Sequence, residues 1–218
     1  MTWIKICGTT NLEDALVAVE AGADALGFIF TDSPRRITPE AAREIVANLP
    51  DSVQKIGVFV NASHQRVYNI VSKVGLTGVQ LHGTENEQYV EELCRGWDDT
   101  TTRKHKVRVI KAVPVRPGFE NTLRALSRSL DLFLLDSGAG GTGQSFDPKA
   151  ALAGLKKTPV RFIAAGGLRP ENVMEAIQVL KPWGADVASE VEKEKGKKDH
   201  AKVKAFVQAV RQADKKVS

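Results

Sequence analysis

Eight short, nearly continuous apolar runs, each followed by a stretch of helical periodicity, constrain this chain more than any other feature. The runs are Trp3–Ile6, Ala25–Phe30, Gln54–Val60, Gly78–Leu81, Val107–Ala112, Leu132–Asp136, Arg161–Ala164 and Ala185–Ala188. A half-buried strand alternates apolar with polar residues, so runs that stay apolar belong to strands covered on both faces. Helical patterns follow at Asn11–Ala21, Pro39–Asn48, Ser63–Val74, Asn86–Arg95, Phe119–Ser129, Pro148–Lys156, Pro170–Leu180 and Asp199–Ala213. In the first, Asn11 is a good cap residue, and Leu12, Ala15, Leu16 and Val19 recur at spacings of three and four. Thr38 before Pro39 is a second favoured helix start, and Pro148 and Pro170 read as first-turn prolines.

Eight strand-then-helix units in 218 residues predict an α/β fold: one closed parallel (β/α)8 TIM barrel of the phosphate-binding type, spanning 1–218 as a single domain. The alternative is an open doubly wound sheet, which the absence of Gly-x-Gly-x-x-Gly after the first strand weakens. Residues 96–106 are polar and read as a loop insertion before the fifth strand. A chain of this length buries roughly 70% of its unfolded surface, so the core needs no staple.

The only cysteines are Cys7 and Cys94. Two thiols make no disulfide framework, and neither Cys-x-x-Cys nor paired histidines offer a metal site. The expectation is a cytoplasmic protein without metal or cofactor. The first residues show no basic stretch followed by a long apolar run, so no signal peptide is expected, and no run approaches the roughly 18 apolar residues of a membrane span. The net charge of +5 gathers at Arg103 to Arg108, at Lys193 to Lys198 and at Lys215-Lys216, without interleaved aromatics. It reads as a field around a small anion rather than a nucleic-acid surface. Monomer and homodimer stay open.

Barrel active sites sit at the carboxyl ends of the strands, so the residues just beyond each run are the candidates. Cys7-Gly8-Thr9-Thr10 follow the first strand. Cys7 is either a packing thiol or a base, and Lys5, two positions back on the same side, would lower its pKa. Cys94, in a helix, reads as packing. Asp136 follows Leu132-Phe133-Leu134-Leu135. It is either a cap or a partly desolvated carboxyl whose raised pKa suits a general acid. Asp24, Asp131 and Asp186 look structural. The clusters Gly140-Gly141-Thr142-Gly143 and Gly166-Gly167 are tight turns or, functionally, a mobile loop and a phosphate cradle respectively. Arg35 or Arg36 could hold a carboxylate. His82 is a substrate contact or a loop histidine bonded to backbone.

Together, Lys5-Ile6-Cys7-Gly8, Gly27-Phe28-Ile29-Phe30, Ser33-Pro34-Arg35, Gly57-Val58-Phe59-Val60-Asn61, Val79-Gln80-Leu81-His82-Gly83, Leu134-Leu135-Asp136-Ser137, Gly140-Gly141-Thr142-Gly143 and Gly166-Gly167-Leu168 resemble, in order, the phosphoribosylanthranilate isomerase family of tryptophan biosynthesis. The resemblance implies a cofactor-free barrel. Its reaction is an Amadori rearrangement of N-(5-phosphoribosyl)anthranilate to 1-(2-carboxyphenylamino)-1-deoxyribulose 5-phosphate. It further implies Asp136 as the acid that opens the furanose ring and Cys7 as the base at C2. Arg35 would hold the anthranilate carboxylate, with Arg36 adjacent as an ambiguity, and Gly166 and Gly167 would hold phosphate. His82 and Ser189 complete the expected substrate contacts.

One stretch departs from the family pattern. Ala188-Ser189-Glu190-Val191-Glu192 stands where a Ser-Ser-Gly-Val-Glu segment is usual, so Glu190 replaces a glycine that helps bind phosphate. A carboxylate facing phosphate at about 4 Å would cost up to about 4 kcal/mol at an effective dielectric near 20. Weakened phosphate binding is one expectation; a Glu190 turned to solvent or towards Lys193, Lys195 or Lys197 is the other. Rival readings are a related phosphosugar barrel, in which Lys111 would be the candidate catalytic lysine, and a non-catalytic phosphate-binding barrel.

Overall fold

The apolar runs pair as parallel strands: β1 (Trp3–Cys7), β2 (Ala25–Ile29), β3 (Gln54–Phe59), β4 (Gly78–Leu81), β5 (Arg108–Pro114), β6 (Phe133–Asp136), β7 (Phe162–Ala165) and β8 (Gly184–Val187). The computed structural model describes residues 1–98, 107–130, 132–136 and 148–217. The strands pair in chain order, and β8 returns to β1 with Trp3 opposite Gly184 and Lys5 opposite Asp186, closing the barrel. The open-sheet alternative is thereby set aside. Outside lie α1 (Leu12–Ala21), α2 (Pro39–Val46), α3 (His64–Val74), α4 (Glu87–Asp98), α5 (Phe119–Leu126), α6 (Pro148–Lys157), α7 (Val173–Leu180) and α8 (His200–Val217). Asn11 and Thr38 cap α1 and α2 with their side chains, as their sequence positions predict, and Ser63 caps α3 in the same way.

Strand alternation divides the core in two. Trp3, Ala25, Ile56, Ile110, Ala112, Leu132, Leu134, Ile163 and Ala165 fill the barrel, while Ile4, Ile6, Phe133, Leu135 and their counterparts pack under the helices. At the amino-terminal end Trp3 stacks on Trp183 with centroids 5.0 Å apart, and the Arg161 guanidinium lies 4.1 Å from the Trp183 ring. The interior is packed from below, so the open end is the carboxyl-terminal mouth.

Three features differ from the sequence reading. α7 begins at Val173, not Pro170, because the Asn172 side chain closes a turn instead: its Nδ2 donates to the Gly167 carbonyl (2.9 Å) and its Oδ1 accepts from Arg169 N–H (2.8 Å). α4 continues through Asp98 into the polar stretch 96–106; the remainder of that stretch lies outside the described residues, as does Gly140–Gly143. Finally, a 3₁₀ turn (Ser189–Val191) leads into a small antiparallel hairpin of β9 (Glu192–Glu194) and β10 (Lys197–Lys198), turning at Gly196 with φ 81°. Its sequence is almost wholly charged, so no apolar alternation announces it.

Candidate active site

The mouth holds a cavity of about 680 Å³ whose walls include Cys7, Arg35, His82, Asp136, Gly166, Gly167 and Ser189. These seven sequence-nominated residues are therefore brought to one place. Alternation explains the inner wall: Lys5 and Cys7 on β1, Gln80 on β4, Asp136 on β6 and Asp186 on β8 share the inward face with the apolar plug beneath them. β7 and β8 lie between β6 and β1, so Asp136 and Cys7 stand on different sides of the cavity.

Cys7 is 5% exposed. Burial pushes its thiol above the ordinary cysteine value; Lys5 pulls the other way and Asp186 adds to the rise. The sequence expectation of a lowered pKa is corrected: desolvation outweighs the lysine. Lys5 is fully buried and its Nζ meets Asp186 Oδ1 at 2.7 Å. Burial pulls the Lys5 ammonium down, yet Asp186 and Cys7 more than offset it and hold it above its usual range. Asp186 is thus not merely a structural residue, since it lines the cavity and neutralises the cation beneath the thiol. Gly27, opposite Cys7 in the register, leaves room for the sulfur: a Cβ there would stand 2.6 Å from Cys7 Sγ.

Asp136 ends β6 with its side chain 20% exposed. His82 Nε2 lies 3.4 Å from its Oδ2, and His82 Nδ1 lies 2.9 Å from Gln80 Nε2. His82 therefore has side-chain neighbours on both nitrogens rather than the backbone partner of an ordinary loop histidine. Gln80, which sequence reasoning passed over, is 1% exposed on the inner face, the signal being a polar residue inside an apolar strand.

Arg35 settles at the cavity while Arg36 faces a separate one beside Arg66 and Asn61. Arg35 is engaged side-on by Glu192, with Nε to Oε1 and an Nη to Oε2 both 2.8 Å. Gly166 and Gly167 have φ of 83° and 68°, a left-handed pair that L side chains rarely adopt, so glycine is needed at this turn on the cavity wall. Glu190 lines the cavity and its Oε1 accepts from Ser189 Oγ at 3.3 Å; among the described residues no ion pair joins it to a lysine. Lys111 does not reach the cavity. Its ammonium is held by Glu85 (3.0 Å) and the Gly83 and Ala112 carbonyls (2.7 and 3.1 Å), which removes it as a catalytic lysine. Among the described residues no helix is long and apolar enough to cross a membrane, and no cluster of three His, Cys, Asp or Glu residues could hold a metal ion.

The family model for N-(5'-phosphoribosyl)anthranilate isomerase matches residues 4–209. The isomerase of Thermotoga neapolitana is 44% identical over 212 residues, covering 95% of this chain and 97% of that protein. The crystal structure of the Thermotoga maritima isomerase superposes with a TM-score of 0.84 at 41% identity, over 97% of this chain and all of that one. An isomerase crystallised with reduced 1-(o-carboxyphenylamino)-1-deoxyribulose 5-phosphate gives 0.81 at the same identity and coverage. The chain belongs to the N-(5'-phosphoribosyl)anthranilate isomerase family.

Proposed function

We propose a division of labour for the isomerisation of N-(5'-phosphoribosyl)anthranilate to 1-(2-carboxyphenylamino)-1-deoxyribulose 5-phosphate, the reaction of the family. Asp136 protonates the furanose ring oxygen, the C–O bond breaks, and an open-chain Schiff base forms. Cys7 then takes the proton from C2. The resulting enolamine gains a proton at C1, loses one from the C2 hydroxyl, and becomes the ketose. The observation that carries this reading is the placement of Cys7 and Asp136 on the walls of one cavity, at the ends of strands separated by β7 and β8. General acid and base catalysis of this kind supplies about 10²- to 10⁴-fold each.

Burial holds the Cys7 thiol above its ordinary range, and the Lys5 ammonium is the neighbour that favours the thiolate a base requires. Deprotonation at C2 also needs the base shielded from water, which 5% exposure provides. His82, 3.4 Å from Asp136, aligns the acid and contacts the substrate chain. Arg35 holds the anthranilate carboxylate, and the amides of Gly166, Gly167 and Ser189 hold the phosphate. Lys193 and Lys195, also on the cavity wall, offset the charge of Glu190. The 218 residues act as one barrel domain, and a count of only two cysteines, Cys7 and Cys94, supports a reducing, cytoplasmic setting.

The test is turnover of freshly generated N-(5'-phosphoribosyl)anthranilate, followed by its fluorescence decay. Disappearance of substrate at rates proportional to enzyme supports the reading; no turnover at any enzyme concentration overturns it.

A further inference from the structure

The β9–β10 hairpin contains no apolar core of its own, yet two of its charged side chains are buried: Glu192 is 5% and Lys198 is 1% exposed at the side chain. Burying charge is costly unless each is paired and hydrogen-bonded. Here the pairing is complete. Lys198 Nζ donates to Glu192 Oε1 (3.0 Å), to the Cys7 carbonyl (2.6 Å) and to the Ala188 carbonyl (3.0 Å), which uses all three ammonium protons. Glu192 in turn receives Arg35 through both carboxylate oxygens. The hairpin is tied down behind this cluster by Lys198 N–H to Asp14 Oδ2 (2.8 Å), and by a hydrogen bond from Thr10 Oγ1 to the Gly196 carbonyl.

We propose that Glu192 and Lys198 are positioning residues for the isomerisation: Glu192 fixes the Arg35 guanidinium side-on, and Lys198 restores the positive charge that the Arg35–Glu192 pair cancels. This rests on the reading of Arg35 as the ligand of the anthranilate carboxylate. A lone arginine–glutamate pair is neutral and has little reason to attract an anion. The three-residue cluster carries one net positive charge. A side-on pair uses Nε and one terminal nitrogen, so the other terminal nitrogen keeps two N–H donors outside it. A second contact fixes the stem of Arg35. Gly8 has φ 78°, and a Cβ there would stand 2.7 Å from Arg35 Cδ, so the arginine chain lies directly over the backbone that follows Cys7. The same lysine that balances Glu192 grips the carbonyl of Cys7. Carboxylate recognition and the position of the base are therefore held by one buried ammonium.

The experiment measures binding of two non-reacting product analogues, 1-(2-carboxyphenylamino)-1-deoxyribitol 5-phosphate and its phenylamino twin without the carboxylate. The wild type is expected to prefer the carboxylated analogue by about 10- to 100-fold, the range of a charge-assisted bidentate contact. Glu192→Gln, nearly isosteric, adds positive charge to the cluster but loosens the guanidinium, and because positioning is the role proposed it is expected to reduce that preference below about 3-fold while binding of the twin changes little. Lys198→Met is expected to reduce it likewise and also to lower kcat, since the Cys7 carbonyl loses its donor. A merely structural role would weaken both analogues together and leave their ratio intact. A wild-type ratio retained in Glu192→Gln, with Arg35→Met abolishing it, overturns the proposal alone. A ratio unmoved by Arg35→Met overturns the reading of Arg35 on which the proposal stands.

Discussion

Replacing Lys5 by methionine isolates the buried carboxylate of Asp186 beneath the sulfur of the base, Cys7. Lys5 is fully buried and Asp186 is 10% exposed at the side chain, so removing the ammonium leaves a carboxylate with almost no water to replace it. Breaking a buried pair in this way costs about 3–5 kcal/mol. For a domain of 150–250 residues each kcal/mol shifts Tm by about 2–4 °C, so the expected fall is roughly 6–20 °C. Methionine fills the space of the lysine stem, which keeps a cavity from adding to the loss. The double variant Lys5→Met/Asp186→Leu removes both charges and is expected to regain most of the stability, because neutral, packed replacements of buried pairs are often tolerated. It is not expected to regain activity. Lys5 is the main influence opposing the burial-driven rise of the Cys7 pKa, and its loss leaves the thiol still harder to ionise. Urea unfolding followed by circular dichroism, with kcat/KM measured in parallel, reads both quantities. A single variant that loses less than about 1 kcal/mol, or a double variant less stable than the single, would refute the argument that charge isolation governs this site.

Gly27→Ala puts a Cβ 2.6 Å from Cys7 Sγ and 3.1 Å from Lys5 Cε, so the sulfur must move. A displacement of about 1 Å can cost roughly 100-fold in kcat/KM, expected here with an unchanged circular dichroism spectrum. Because burial raises the Cys7 pKa, iodoacetamide is expected to alkylate Cys7 more slowly than free cysteine near pH 7, and faster as the pH rises and thiolate forms. Alkylation at pH 7 faster than that of free cysteine would contradict the raised pKa. Burial alone would raise the Glu192 pKa, but hydrogen bonding to Arg35 and the charge of Lys198 hold it below the usual carboxylate range. A group depressed in the folded state contributes stability above its unfolded pKa, about 4.3, and loses it as pH falls through the lower folded value. The stability gap between wild type and Glu192→Gln, measured by urea unfolding, is therefore expected to close as the solution is acidified below about pH 4.

The barrel was legible because its strands are apolar throughout and its helices are capped by side chains at Asn11, Thr38 and Ser63. The position of a residue at a strand end was enough to gather Cys7, Asp136, His82 and Gly166-Gly167 at the mouth, since alternation decides which side chains point inward. What escaped was set by partners far apart in the chain. Asp186 reads as one more strand residue until β8 closes on β1 and lays it opposite Lys5. The direction of the Cys7 pKa escaped for the same reason: adjacency to Lys5 is local, whereas burial comes from the whole barrel. Lys198 sits in a run of lysines that looks solvated, and only the fold reveals that one of them is inside. Glu192 likewise has no local pattern that marks it as the holder of Arg35.

The most direct test of the central claim compares wild type, Cys7→Ala and Asp136→Asn for turnover of N-(5'-phosphoribosyl)anthranilate, with affinity for the carboxylated product analogue measured on each. The account predicts that both variants bind the analogue within a few-fold of wild type while kcat falls by at least about 10²-fold, the lower end of general acid and base contributions. Either variant retaining more than about a tenth of wild-type turnover would contradict it, and would remove that residue from the chemistry.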